Sequence, residues 1–95
     1  MLTHIVMWRF HDPADVDEAV SKLRGMVGKV AGANSIKVGR NRNESANAFE
    51  LVLISEHDSP DALTTYAADP VHQDIVSWMG DRVATRAVVD TDSLG

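Results

Sequence analysis

The chain has 95 residues, 44% of them hydrophobic, with a formal net charge of −5 and no cysteine. That is the length of one globular domain, and a lone copy buries only about 60–65% of its unfolded surface. Disulfides and cysteine-based zinc sites are excluded, and an acidic chain without a basic run does not bind nucleic acid by neutralising phosphates.

Residues 3–10, THIVMWRF, alternate as a first strand. His4, Val6, Trp8 and Phe10 share one face; Ile5, Met7 and Arg9 share the other. Both faces are largely apolar, which calls for cover on both. Asp12 and Pro13 then supply an N-cap and a first-turn proline. Val16, Ala19, Val20, Leu23, Val27 and Val30 recur at three- and four-residue steps and predict one helical stripe, stopped by Gly32. Gly25 and Gly28 weaken its far half by about 1 kcal/mol each relative to Ala.

Ser35 to Arg40 predicts a short edge strand with Ile36 and Val38 inward. A polar loop follows, in which Arg40 and Arg42 read as solvated or as an anion contact. Ala48 to Ser55 predicts a third, central strand, with Phe49, Leu51 and Leu53 on one face. His57 and Asp58 are expected to leave it. Ser59–Pro60 and Asp69–Pro70 then repeat the cap-then-proline signal, so the second helical region is expected to break at Asp69. Val71, Ile75, Trp78 and Met79 form the apolar side of the last helix, and Gly80 ends it. Arg82 to Asp90 is the fourth strand. The tail from Thr91 to Gly95 is expected to fray or to lie on a partner.

The order β-α-β-β-α-β over residues 1–95 is the ferredoxin-like α+β plan, a single domain with one four-stranded antiparallel sheet and helices on one side. Two helical regions cover one sheet face. The other face is expected to meet a second copy of the chain, making a homodimer. No apolar run approaches the ~18 residues of a membrane span and no signal-like start occurs, so a soluble cytoplasmic protein without membrane contact is expected.

Tyr66 and His72 flank the expected break. On an unbroken helix, six residues would set them about 120° apart; a bend at Asp69 aims both into one space. A neutral imidazole takes a proton alpha to a carbonyl near neutral pH, and a phenol stabilises the oxyanion that develops. The structural alternatives are a histidine bonded to nearby backbone and a core tyrosine with a wet hydroxyl. His4 reads either as pocket wall or as a buried, bonded imidazole. Val6, Trp8, Leu51, Leu53, Ile75, Trp78 and Val88 read either as the lining of an apolar pocket between sheet and helices or as plain core. The four histidines lack metal-ligand spacing, and no glycine-rich phosphate loop occurs; neither metal nor cofactor is expected.

The segment Y-x-x-x-P-x-H at Tyr66 to His72, the opening T-H-I-V-x-W-x-F and the final V-V-D resemble the stress-responsive α/β-barrel (Dabb) family. The resemblance implies a dimer whose sheets combine into a barrel-like core. Plant polyketide cyclases of that family imply His72 as general base and Tyr66 as hydrogen-bond donor, with no cofactor. Trp8 and Trp78 stand where those cyclases carry smaller aliphatic side chains, and Arg86 where an apolar one is expected. These departures argue against a long aromatic polyketide and point to a smaller or acidic ligand. Three readings stay open. One is a protein binding a small apolar or carbonyl ligand, one a cofactor-free cyclase-like enzyme, and one a quinol monooxygenase-like enzyme.

Overall fold

The computed structural model describes residues 1–92. Strand β1 (Leu2–Phe10) leads through a 3-10 turn at Pro13–Asp15 into α1 (Val16–Arg24). Strands β2 (Ser35–Arg40) and β3 (Leu51–His57) follow, then α2 (Pro60–Ala68), α3 (Pro70–Met79) and β4 (Val83–Thr91). The sheet order is β2-β3-β1-β4, antiparallel throughout. The part of the tail from Ser93 to Gly95 lies outside the described residues; Thr91 continues β4.

Each helix begins where the side chains dictate. Asp12 accepts from the Ala14 N–H, Ser59 from Ala62 and Asp69 from Val71, and each cap precedes a proline whose missing N–H needs no partner there. The first helix is shorter than its apolar periodicity predicts. It ends at Arg24, with Gly25 as C-cap. Residues 26–32 form turns in which Gly28 and Gly32 take φ of 75° and 82°. Val27 is consequently 56% exposed, while Met26 swings into the core with no exposure. The backbone freedom of two nearby glycines outweighs the valine spacing.

The helix-facing side of the sheet is the core. Val6, Trp8 and Phe10 of β1 and Leu51 and Leu53 of β3 pack against Ala19, Val20 and Leu23 of α1, with Tyr66 and Met79 closing the far side. Strand β3 starts three residues later and ends two residues later than the sequence predicts. His57 therefore does not leave the sheet; it sits buried at the strand's end, opposite Leu2. Phe49 precedes the strand and lies under the Arg9 guanidinium, 5.0 Å from ring centre to Cζ, apart from Leu51 and Leu53.

Among the described residues the other sheet face carries no helix. Register places Ile5 beside Ile54 and Val89, and Met7 beside Val52 and Ala87, so six apolar side chains share it. Among the described residues no helix is long and apolar enough to cross a membrane.

Candidate functional site

The break between α2 and α3 builds the site. Asp69 holds φ −60° and ψ 133°, extended rather than helical, as a residue before proline prefers. Its carboxylate accepts from Val71 N–H at 2.9 Å and from Ala31 N–H at 3.0 Å, tying the corner to the loop before β2. These backbone donors hold the Asp69 carboxyl below its ordinary pKa. In an unbroken helix the Val71 N–H would go to the Ala67 carbonyl. Here that carbonyl is free of it and accepts instead from His72 Nδ1 at 3.0 Å and from Gln73 Nε2 at 2.6 Å.

A carbonyl only accepts, so the bond fixes His72 as the Nδ1–H tautomer and leaves the Nε2 lone pair unused. Burial lowers the His72 pKa from 6.5, and the positive charge of His4 and Arg86 lowers it further; the Ala67 bond and Asp69 oppose these effects. At neutral pH the ring is a neutral base.

Tyr66 is 2% exposed. Its ring centre lies 4.6 Å from that of His72 and 5.0 Å from that of His57. Burial pushes its pKa up to about 12, so it remains a phenol that donates a hydrogen bond. His57 seats it. The His57 Nδ1–H donates to the Gly32 carbonyl at 2.7 Å, and Nε2 accepts from the Ser55 hydroxyl at 2.8 Å. Both nitrogens are spent, so His57 is structural. Gly32 in turn lies directly against α2: a Cβ there would stand 2.3 Å from Ala62 O and 2.8 Å from Tyr66 N. His4 Nδ1 donates to Asp90 Oδ1 at 2.5 Å across the β1–β4 pair, and its ring centre is 6.2 Å from that of Tyr66.

These groups border a cavity of about 360 Å³ between α3 and the β1–β4 side of the sheet. That is the lower end of the range of small-molecule pockets. His4, Val6, Trp8, Leu53, Tyr66, His72 and Ile75, all singled out from the sequence, line it. Trp8 is wall and leaves the space open. Three sequence candidates lie elsewhere. Leu51 is core at 1% exposure, and Val88, on the edge strand, is 40% exposed and off the lining. Trp78 turns away to stack with Arg82, whose Cζ is 4.4 Å from its ring, and with Lys22 at 5.2 Å. The sequence reading set Arg86 at the pocket but missed Met26, Met79 and the β4 residues from Val83 to Thr85 as lining. Helix periodicity could have found Met79; Met26 needed the glycine turns to be foreseen. Among the described residues no three His, Asp or Glu side chains gather as metal ligands.

A four-stranded antiparallel sheet with α-helices on one side and a polar-tipped cavity between them defines a ferredoxin-like α+β protein. The chain belongs to the stress responsive A/B barrel domain family (Dabb), whose sequence profile matches residues 2–93. No curated protein matches the sequence. Among solved structures, it is similar to a dimeric ferredoxin-like protein of unknown function from Bacteroides fragilis, with 23% identity and a TM-score of 0.84 over 97% of this chain and 95% of that one. An antibiotic biosynthesis monooxygenase is similar at 16% identity and TM-score 0.80, covering 100% of both chains. The hydroxynitrile lyase of Passiflora edulis is similar at 12% identity and TM-score 0.79, covering 99% of this chain and 96% of that one. At these identities the likeness is one of fold.

Proposed function

We propose that the chain is a homodimeric, cofactor-free acid–base catalyst acting on a small carbonyl compound, with His72 as the base and Tyr66 as the hydrogen-bond donor. The observation that carries this reading is the Ala67–His72 hydrogen bond, which leaves the Nε2 lone pair of a depressed-pKa imidazole on a ring bordering the cavity. In the step itself, Nε2 takes a proton from the carbon next to the substrate carbonyl. The C–H electron pair becomes the carbon–carbon double bond of an enolate, and the carbonyl π pair moves to oxygen. The Tyr66 hydroxyl donates a hydrogen bond to that oxygen. Returning the proton regenerates the keto form; an electrophilic carbon presented to the enolate gives condensation.

A fold shared with a monooxygenase and a lyase does not choose among chemistries, so the reading rests on the side chains. Dimerisation is supported by the six apolar side chains on the helix-free sheet face and by the dimeric state of the Bacteroides fragilis protein. The test is exchange of alpha protons for deuterium in a panel of small ketones and aldehydes in heavy water, followed by NMR. Exchange above the buffer rate that disappears in His72→Ala supports the assignment. Exchange unaffected by that substitution rejects it, and no exchange leaves the pocket a binding site only.

A further inference from the structure

Arg86 is the cavity residue that proton abstraction does not use. It stands on β4 directly opposite Trp8, on the side of the sheet that faces the helices, and borders the cavity. Four of the other five arginines are engaged, and the fifth, Arg42, stands exposed in the loop between β2 and β3, away from the cavity. Arg82 donates to the Trp78 carbonyl, Arg24 to the Val38 carbonyl, Arg40 pairs with Asp17, and Arg9 lies over Phe49. Arg86 has no ion pair or side-chain hydrogen bond among the described residues. The surrounding acids do not serve it: Asp90 is bound by His4, and Asp69 by two backbone N–H groups. In a chain of net charge −5, the cavity wall contains no Asp or Glu at all.

We infer that the substrate is a small oxo acid, its carboxylate held by the Arg86 guanidinium while its carbonyl lies between Tyr66 and His72. This rests on the site proposed above and narrows its substrate class. A guanidinium fork matches a carboxylate with two parallel N–H···O bonds, and Arg86, exposed overall, stands at the rim of the cavity where such a group can reach it. The apolar wall of Val6, Leu53 and Ile75 takes the hydrocarbon remainder. Arg86 has a second effect on the site, since its charge helps keep His72 neutral. A bound carboxylate offsets that charge and makes the imidazole more basic once substrate is in place, which favours proton removal from bound substrate.

The test uses two unreactive probes of the same shape, 3-phenylpropanoate and 3-phenylpropanamide, titrated calorimetrically into the full chain. Wild type is expected to bind the carboxylate at least about 10-fold more tightly, the range of one charge-assisted pair. Arg86→Gln should bind the two alike, Arg86→Lys should keep part of the preference, and His72→Ala should keep most of it. Amide binding in each variant reports that the pocket has formed. Equal binding by wild type, binding of neither probe, or a preference that survives Arg86→Gln would overturn the inference. Phenylpyruvate in heavy water separates the two proposals. A carboxylate preference without exchange of its C3 protons leaves the Arg86 inference standing and removes the His72 assignment; exchange with no carboxylate preference does the reverse.

Discussion

His72 donates its Nδ1–H to the carbonyl of Ala67, a group that an unbroken helix would have given to the Val71 N–H. The helix break thus does two things at once. It turns the imidazole toward Tyr66, and it supplies the acceptor that decides which nitrogen keeps a lone pair.

Removal of the imidazole should therefore cost more than removal of the phenol. His72→Ala is expected to lower alpha-proton exchange about 1,000-fold, within the span of general-base contributions. Tyr66→Phe should lower it about 100-fold, the loss of one oxyanion donor. Both variants should keep the wild-type circular dichroism spectrum. A Tyr66→Phe loss larger than that of His72→Ala would reverse the assigned roles.

The pH profile follows from the two pKa directions. His72 titrates below 6.5, so the exchange rate should be level through neutral pH and fall only on the acid side of that value. Tyr66 titrates at about 12, so no alkaline loss should occur up to pH 10. Stability has the same sense for His72. Between its folded pKa and 6.5 the unfolded chain binds more protons, so stability from this group falls as the pH is lowered through that window. His72→Gln, which cannot titrate, should lessen the acid-side decline in melting temperature; an unchanged decline would assign it to the carboxylates.

Gly32→Ala should be among the most damaging single-methyl additions. The new Cβ would meet backbone at Ala62 and Tyr66, in a residue whose φ of 82° already disfavours any side chain. A loss of about 2–4 kcal/mol in urea unfolding is expected. Gly28→Ala, at φ 75° but with open space around it, should cost only about 1 kcal/mol.

Sedimentation at micromolar concentration should give twice the chain mass of 10.3 kDa. Ile54→Lys sets a charge in the middle of the helix-free sheet face, beside Ile5. It should shift the species to monomer or to unfolded chain, while Lys29→Glu, exposed in the turns after α1 and away from that face, should do neither. A folded wild-type monomer would reject the dimer.

The parts of this architecture legible in the sequence are those set by local chemistry. Ser59–Pro60 and Asp69–Pro70 announce their helix starts because cap and proline act within four residues. The alternation of β1 assigns His4, Val6 and Trp8 to one face because strand geometry leaves no choice. Residues governed by distant partners were not legible. His57 sits in the polar run Ser55-Glu56-His57-Asp58-Ser59, which reads as a turn; it is strand because Ser55 and the Gly32 carbonyl satisfy it inside. Trp78 follows the helix stripe but is drawn to the flank by Arg82 and Lys22. Val88 has the right parity for the cavity and pairs with Val6, yet on the edge strand it stays 40% exposed and off the lining.

Strand β1 has a site on one side and an apolar face on the other, residue by residue. His4, Val6 and Trp8 border the cavity, and Ile5 and Met7 lie between them on the helix-free face. Substitutions at odd and even positions should therefore be separable, each disturbing only one side. A change in length is different. Deleting Thr3 would exchange the two sides. It would put an imidazole and an indole on the helix-free face and an isoleucine where His4 now faces Tyr66. Related chains are thus free to vary β1 in composition, but single-residue indels should fall outside Leu2–Phe10.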